Sequence, residues 1–221
     1  RYLPVGFKEL YFARFALMTR SYGVDSAIAK VPAQFKNDIG LQFDRAKWRR
    51  KRGRYDSTLE IINNLPRDPK LLVKPDLWFK EKFIIARSRI NKKRFEEAYG
   101  LLINHGVLDS GNLAKAEWHA GWLALRFLNK PDVAVQHFKT MYDGVNYPIS
   151  KSRAAYWVGK AYEQLGKSQN AKDWYRKSSV FNTTFYGQLA SAKINKKDFK
   201  VKNNYAFSQE DYKTLLKTEL A

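Results

Sequence analysis

Apolar residues recur along this chain at three- and four-residue intervals, in blocks separated by glycine-, proline- and asparagine-rich breaks. That spacing predicts amphipathic helices. The clearest unit runs through Ala155, Gly159, Tyr162, Gly166, Ala171, Tyr175 and Ser178. Its small residues let a first helix approach a second, Tyr162 fills the interface and Gly166 turns the chain. Ala171 and Tyr175, at i and i+4, form the stripe facing back. The same grammar recurs upstream in three places. One unit is Trp118, Trp122 and Leu125, then Pro131 near a helix start, Ala134 and Phe138. Another is Lys82, Ala86 and Arg89, then Ala98 and Leu102. A weaker one is Ala46, Arg49 and Gly53, then Thr58 and Ile62.

Anchored on Thr58, Ala98, Ala134 and Ala171, the successive intervals are 40, 36 and 37 residues. The helix–turn–helix pattern resembles the tetratricopeptide repeat, but these intervals exceed and scatter about its period of about 34 residues. We expect an all-α fold: a superhelical, tetratricopeptide-like stack of antiparallel helix pairs curving into part of a ring. A first pair is expected over about Gly6 to Lys30, with Tyr11, Phe12, Phe15 and Ala16 as its apolar face. Breaks fall at Asn64–Pro69 and Lys74–Asp76, where proline disfavours helix in the preceding residue. Others fall at Asp109–Asn112 and Asp143–Gly144, which carry turn chemistry. The superhelical domain is assigned to 1–194. Residues 195–221 read as a polar link and a short helix from Ser208, with Asp211 as its capping-box partner.

Composition narrows the class. Fifteen per cent aromatic and 44% hydrophobic residues give a chain that folds rather than one that stays disordered. No apolar run approaches the roughly 20 residues of a membrane helix. There is no basic-then-apolar leader and residue 1 is arginine, so the chain reads as a piece of a longer product. With no cysteine, disulfides and thiolate metal sites are excluded. The net charge of +20 favours polyanionic partners such as nucleic acid, anionic lipid or a wall polymer bearing carboxylates.

A set of motifs carries a further resemblance. It comprises Gly40–Arg45 through Trp48–Lys51, Ala98-Tyr99 with Asn104–Gly106, Ala116–Leu128, His137-Phe138, and Pro148–Ala190 with its ending Phe185-Tyr186-Gly187-Gln188-Leu189-Ala190. In this order the chain resembles the superhelical domain of soluble lytic murein transglycosylases. That resemblance implies a periplasmic scaffold that positions peptidoglycan glycan strands. The missing catalytic domain would cleave the β-1,4 bond between N-acetylmuramic acid and N-acetylglucosamine, leaving a 1,6-anhydro product. The family's catalytic glutamate precedes a serine, and no glutamate here does. No catalytic, cofactor-binding or metal residue is therefore assigned, and the chain alone is not expected to be an enzyme. The expected partners are glycan strands, the missing catalytic domain and other cell-wall proteins. The alternative is a helical-repeat adaptor for a protein partner, with nucleic-acid binding behind it.

Individual residues admit plainer readings. Arg49-Arg50-Lys51-Arg52-Gly53-Arg54 reads as a solvated helix end whose cations offset the helix dipole, against a nucleic-acid patch interleaved with Trp48. His105, His119 and His137 lack metal-ligand spacing. Trp118, Trp122, Tyr156, Trp157, Trp174 and Tyr175 read as packing residues rather than sugar platforms. Glu117, ahead of Trp118, reads as structural or surface. In Tyr186-Gly187-Gln188, the glycine allows close helix approach and its neighbours are expected to satisfy backbone groups.

Overall fold

The computed structural model describes residues 4–66, 68–195 and 210. In order, its helices are α1 (Phe7–Thr19), α2 (Val24–Ala29), α3 (Ile39–Lys51), α4 (Tyr55–Asn63), α5 (Pro75–Asn91), α6 (Phe95–Leu102), α7 (Ser110–Arg126), α8 (Pro131–Gly144), α9 (Pro148–Gln164), α10 (Ser168–Ser179) and α11 (Phe185–Lys193). Single 3-10 turns sit at Ala33–Phe35 and Pro69–Leu71. Among the described residues there is no strand, and the expected all-α, tetratricopeptide-like stack is the fold observed. The link and C-terminal helix expected over 195–221 lie, apart from Asn195 and Glu210, outside the described residues.

Local chemistry sets where these helices begin. Pro75, Pro131 and Pro148 each occupy the first helical position, where a missing N–H costs nothing and the fixed φ is already helical. Asp38, Asp109 and Thr184 instead cap α3, α7 and α11 by accepting backbone N–H groups from Leu41, Asn112 and Gly187, satisfying donors that the first turn leaves orphaned.

The turn inside each later pair is built on one residue in the left-handed conformation. Gly53, Lys93, Asn129 and Gly166 have φ of 72°, 59°, 51° and 70°. Each stands five positions before its anchor, Thr58, Ala98, Ala134 or Ala171, so the turns repeat the irregular 40-, 36- and 37-residue spacing. In three of the turns the next N–H reaches back to close the helix end, Arg54 to Arg49 O, Arg94 to Arg89 O and Lys167 to Tyr162 O, as expected of a left-handed C-terminal cap.

Packing within a pair follows from side-chain size. All four anchors are buried, as are Ile62, Leu102, Phe138 and Tyr175 four positions on. A Cβ on Gly121 would lie 2.6 Å from the Phe138 ring, and one on Gly159 would lie 2.6 Å from the Tyr175 ring. The two pairs that bury an aromatic thus need glycine opposite. Ala46 and Ala86 hold the corresponding places where the buried partner is Ile62 or Leu102. Arg89, the largest fully buried side chain, bonds Asp56 at 2.5 Å and approaches Glu97 at 3.4 Å, tying α5 to α4 and α6.

Curvature follows from which helices meet. The backbones of the first helices of successive pairs, α1, α3, α5, α7, α9 and α11, approach in sequence, whereas α4, α6, α8 and α10 meet more sparsely, through side chains such as Tyr99 with His137 and Tyr142 with Trp174. A stack drawn closer on one side bends toward that side, so the first helices line the concave surface.

Two local expectations are corrected. In α1 the buried residues are Leu10, Ala13, Ala16 and Leu17, while Tyr11, Phe12 and Phe15 are 52%, 59% and 59% exposed. The helix is apolar nearly all round, so periodicity did not select a face; the alanines mark where α3 comes close. In the Tyr186–Gln188 segment, a Cβ on Gly187 would sit 2.0 Å from Phe181 O, as close approach requires. The Tyr186 ring, however, packs on Tyr156 at 5.4 Å and Gln188 is exposed. It is the Ser178 hydroxyl that reaches the Tyr186 carbonyl.

Candidate functional site

Polar rungs join the first helices across the concave face. Arg14 Nε donates to Asp44 at 2.8 Å between α1 and α3. Arg50 grips Glu81 through two nitrogens between α3 and α5, one bond being 3.0 Å long. Asp76 at the start of α5 accepts from the Asn112 side chain at 2.9 Å and from the N–H groups of Leu108 and Asp109. The Arg153 guanidinium of α9 lies over the Trp118 ring of α7 at 5.1 Å. Lys193 of α11 bonds Glu163 of α9 at 3.0 Å. Partners this close tie each first helix to the next and help to hold the register that packing sets.

Between the rungs the face is open. One groove of about 540 Å³ is bounded by Met18 of α1, Phe43 and Lys47 of α3, and Val73, Leu77 and Trp78 at the start of α5. A second, of about 520 Å³, is lined only by first helices: Leu125 and Arg126 of α7, Tyr156 and Trp157 of α9, and Phe185 and Leu189 of α11. Phe185 is 68% exposed, although it sits at the first turn of a well-packed helix. Aromatic and arginine side chains of this kind are enriched where proteins meet.

Behind the face lies a buried polar cluster. Glu117 Oε1 is 2.8 Å from His105 Nε2, Glu117 Oε2 is 2.6 Å from His137 Nδ1, and His137 Nε2 is 2.9 Å from the Tyr99 hydroxyl. The Val107 N–H donates to His105 Nδ1, which assigns the donor proton of that ring to Nε2. Burial pushes the Glu117 carboxyl upward, but hydrogen bonds from both histidines and their proximity outweigh it and hold the carboxyl below its ordinary value. Burial first, and then the Glu117 charge, raise the Tyr99 hydroxyl. The cluster fastens α6, α7, α8 and the 103–109 connection to one carboxylate. Each ring nitrogen facing it is engaged by a protein group, and among the described residues no set of three His, Cys, Asp or Glu is placed to hold a metal.

Sequence reasoning placed Glu117 as structural or surface, but did not join it to His105 and His137. They stand 12 and 20 residues away, and only the α6–α8 packing brings them together. His119 lies apart, edge-on to Phe83 of α5 and Trp118. Of the aromatic set, Tyr175 is buried and the other five are half-buried. The basic run ends α3, but Arg49 and Arg50 are half-buried and paired rather than solvated. Arg50 is paired to Glu81, Arg49 donates to Ser57 O, and Arg52 stacks on Trp48 at 3.9 Å, so the tryptophan that invited a nucleic-acid reading already carries a guanidinium.

Against known proteins, residues 152–179 match the tetratricopeptide repeat, which is the α9–α10 pair. No curated protein matches the chain in sequence. Among solved structures it is similar to MamA, at 17% identity over 82% of this chain and 96% of that one with a TM-score of 0.43. It is similar to a second MamA structure at 15% identity over 89% and 97%, TM-score 0.42. A Podosopora anserina putative kinesin light chain with nearly identical tetratricopeptide-like repeats gives 13% over 79% and 93%, TM-score 0.42. Likeness at this level carries no functional argument.

These findings correct the resemblance to lytic transglycosylases. The stretch on which it leaned most, Pro148–Ala190, holds the match to a tetratricopeptide repeat at 152–179 and none to a transglycosylase. The physical reason is visible in the fold. Ala155, Ala171, Tyr175 and Gly187 are all buried, so the shared residues report helix-pair packing and not glycan recognition. The glycan-strand partner, the missing catalytic domain and the glycan-positioning role fall with that resemblance. The periplasmic location rests on it alone. Among the described residues no helix is long and apolar enough to cross a membrane.

Proposed function

We propose that this chain is a helical-repeat scaffold that holds a protein partner against the concave face of its first helices. One observation carries the reading: a groove made only from α7, α9 and α11 that displays Trp157, Tyr156 and exposed Phe185 beside the tetratricopeptide-type pair. Stacked helix pairs create extended concave surfaces of this kind, and such repeats commonly use them to bind proteins. The rungs between first helices support it, because a surface held in fixed register loses little freedom on binding.

Site-specific photocross-linking tests the reading. A photoreactive residue at Gln164 or Leu189 on the inner side is compared with one at Gln136 or Lys172 on the second helices, in extract of the source cells. The scaffold reading expects one discrete protein adduct from the inner positions and none from the outer. Adducts of equal yield from both sides, or none from either, would overturn it.

A further inference from the structure

The middle of the concave face carries cations that rest on aromatic rings and, among the described residues, face no carboxylate. Lys115 of α7 places its ammonium 5.5 Å from the Phe83 ring of α5, and Arg153 of α9 lies over Trp118. His119 bridges the two rings, 4.8 Å from Phe83 and 4.9 Å from Trp118. Arg87, one turn along α5 from Phe83, is exposed. Burial first, and then the charges of Arg153, Lys115 and Arg87, outweigh the hydrogen bond to the Lys115 carbonyl and lower the His119 ring's proton affinity. Its Nδ1 is 2.7 Å from the Lys115 carbonyl, which accepts the proton there and leaves Nε2 unprotonated.

Among the described residues, no carboxylate pairs with Arg87, Lys115 or Arg153. Arg153 Nε is buried without a hydrogen-bond partner, a group that ordinarily costs stability unless something satisfies it. Elsewhere on the face, Arg14 and Arg50 each have a carboxylate across the junction; here the junction presents charge alone. We propose that Arg87, Lys115 and Arg153 form an anion site that takes side-chain carboxylates from an acidic segment of the partner, running across α5, α7 and α9. This deepens and rests on the scaffold reading. An acidic peptide suits the patch better than a nucleic acid, because its rings are already occupied. Trp118 is contacted by Arg153, His119, Trp122 and Trp157, and single-strand binders need rings on which bases can stack.

The test is fluorescence anisotropy with a labelled octaglutamate peptide at low ionic strength. Arg153→Gln with Lys115→Gln should weaken binding at least tenfold, while Lys167→Gln with Lys172→Gln on the α9–α10 turn and α10 should change it less than twofold. Arg87→Gln guards against misfolding, since that side chain is exposed and meets no carboxylate among the described residues; it should weaken binding several-fold with an unchanged melting curve. Equal weakening by both charge-matched pairs would reduce the effect to net charge and overturn the site. So would unaltered binding in Arg87→Gln and Arg153→Gln, or tighter binding of an oligouridylate of equal charge. Cross-links to a protein from the inner face with no effect of these variants would sink the anion site and spare the scaffold. Site-dependent peptide binding without inner-face protein adducts would do the reverse.

Discussion

The α1–α2 end and the α9–α10 pair are made from similar residues but are treated differently by the fold. In α9 the small residues Ala154, Ala155, Val158 and Ala161 are buried, because α7 and α8 pack before them and α10 and α11 after. In α1 only Leu10, Ala13, Ala16 and Leu17 find cover, and Tyr11, Phe12, Phe15 and Met18 remain exposed among the described residues. An internal pair is defined on both sides, whereas the first described pair is defined on one. In a quasi-one-dimensional stack, stability is a sum of pair and junction terms, so identical substitutions should cost more in α9–α11 than in α1.

The sharpest break is steric. Gly187→Ala puts a methyl against the Phe181 carbonyl, and Gly159→Leu drives a side chain into Tyr175. Each should destabilise by about 3 kcal/mol, the upper range for overpacking, read by urea denaturation. Next comes Glu117→Ala, which strands two histidine donors and should cost about 2 kcal/mol. Its pH dependence has a definite sign. The folded carboxyl lies below its ordinary value of 4.5, so its contribution is present above that pH and is lost as pH falls toward the depressed value. Melting curves between pH 6 and pH 3 should fall less steeply in Glu117→Ala than in the parent chain; parallel curves would remove the cluster from the account.

Smaller effects probe the turns. Lys93 holds a left-handed φ that costs about 1–2 kcal/mol outside glycine. Lys93→Gly should therefore stabilise by about 0.5–1 kcal/mol, and Gly166→Ala should destabilise by about 1 kcal/mol. The same direction of change for both would deny that the turns share a register. Least affected is the open end: Phe12→Ser and Phe15→Ser should shift stability by no more than about 0.5 kcal/mol. A larger loss would mean that α1 is covered.

Much of the stack was legible because close packing demands particular sizes. Thr58, Ala98, Ala134 and Ala171, picked out by spacing, are buried in α4, α6, α8 and α10, and Pro131 does open a helix. The turn register was only half visible: Gly53 and Gly166 advertise a left-handed residue, while Lys93 and Asn129 adopt it without announcing it. The face of α1 was misread because nearly every position there is apolar. The Glu117 cluster and the cations of α5, α7 and α9 could not be read at all, since their members are near neighbours only after two helix pairs, in the first case, and three, in the second, have stacked. Packing residues also misled: they are common to many helix-pair superhelices, and so gave a resemblance in function that the chain does not support.

The most direct test of the inner-face claim is hydroxyl-radical footprinting of the chain alone and with the protein cross-linked from Gln164 or Leu189. The account predicts protection of Trp157, Phe185 and Tyr186 with Trp174 on α10 unchanged. Protection of Trp174 while those three remain as reactive as in the free chain would place the partner on the second helices and contradict it.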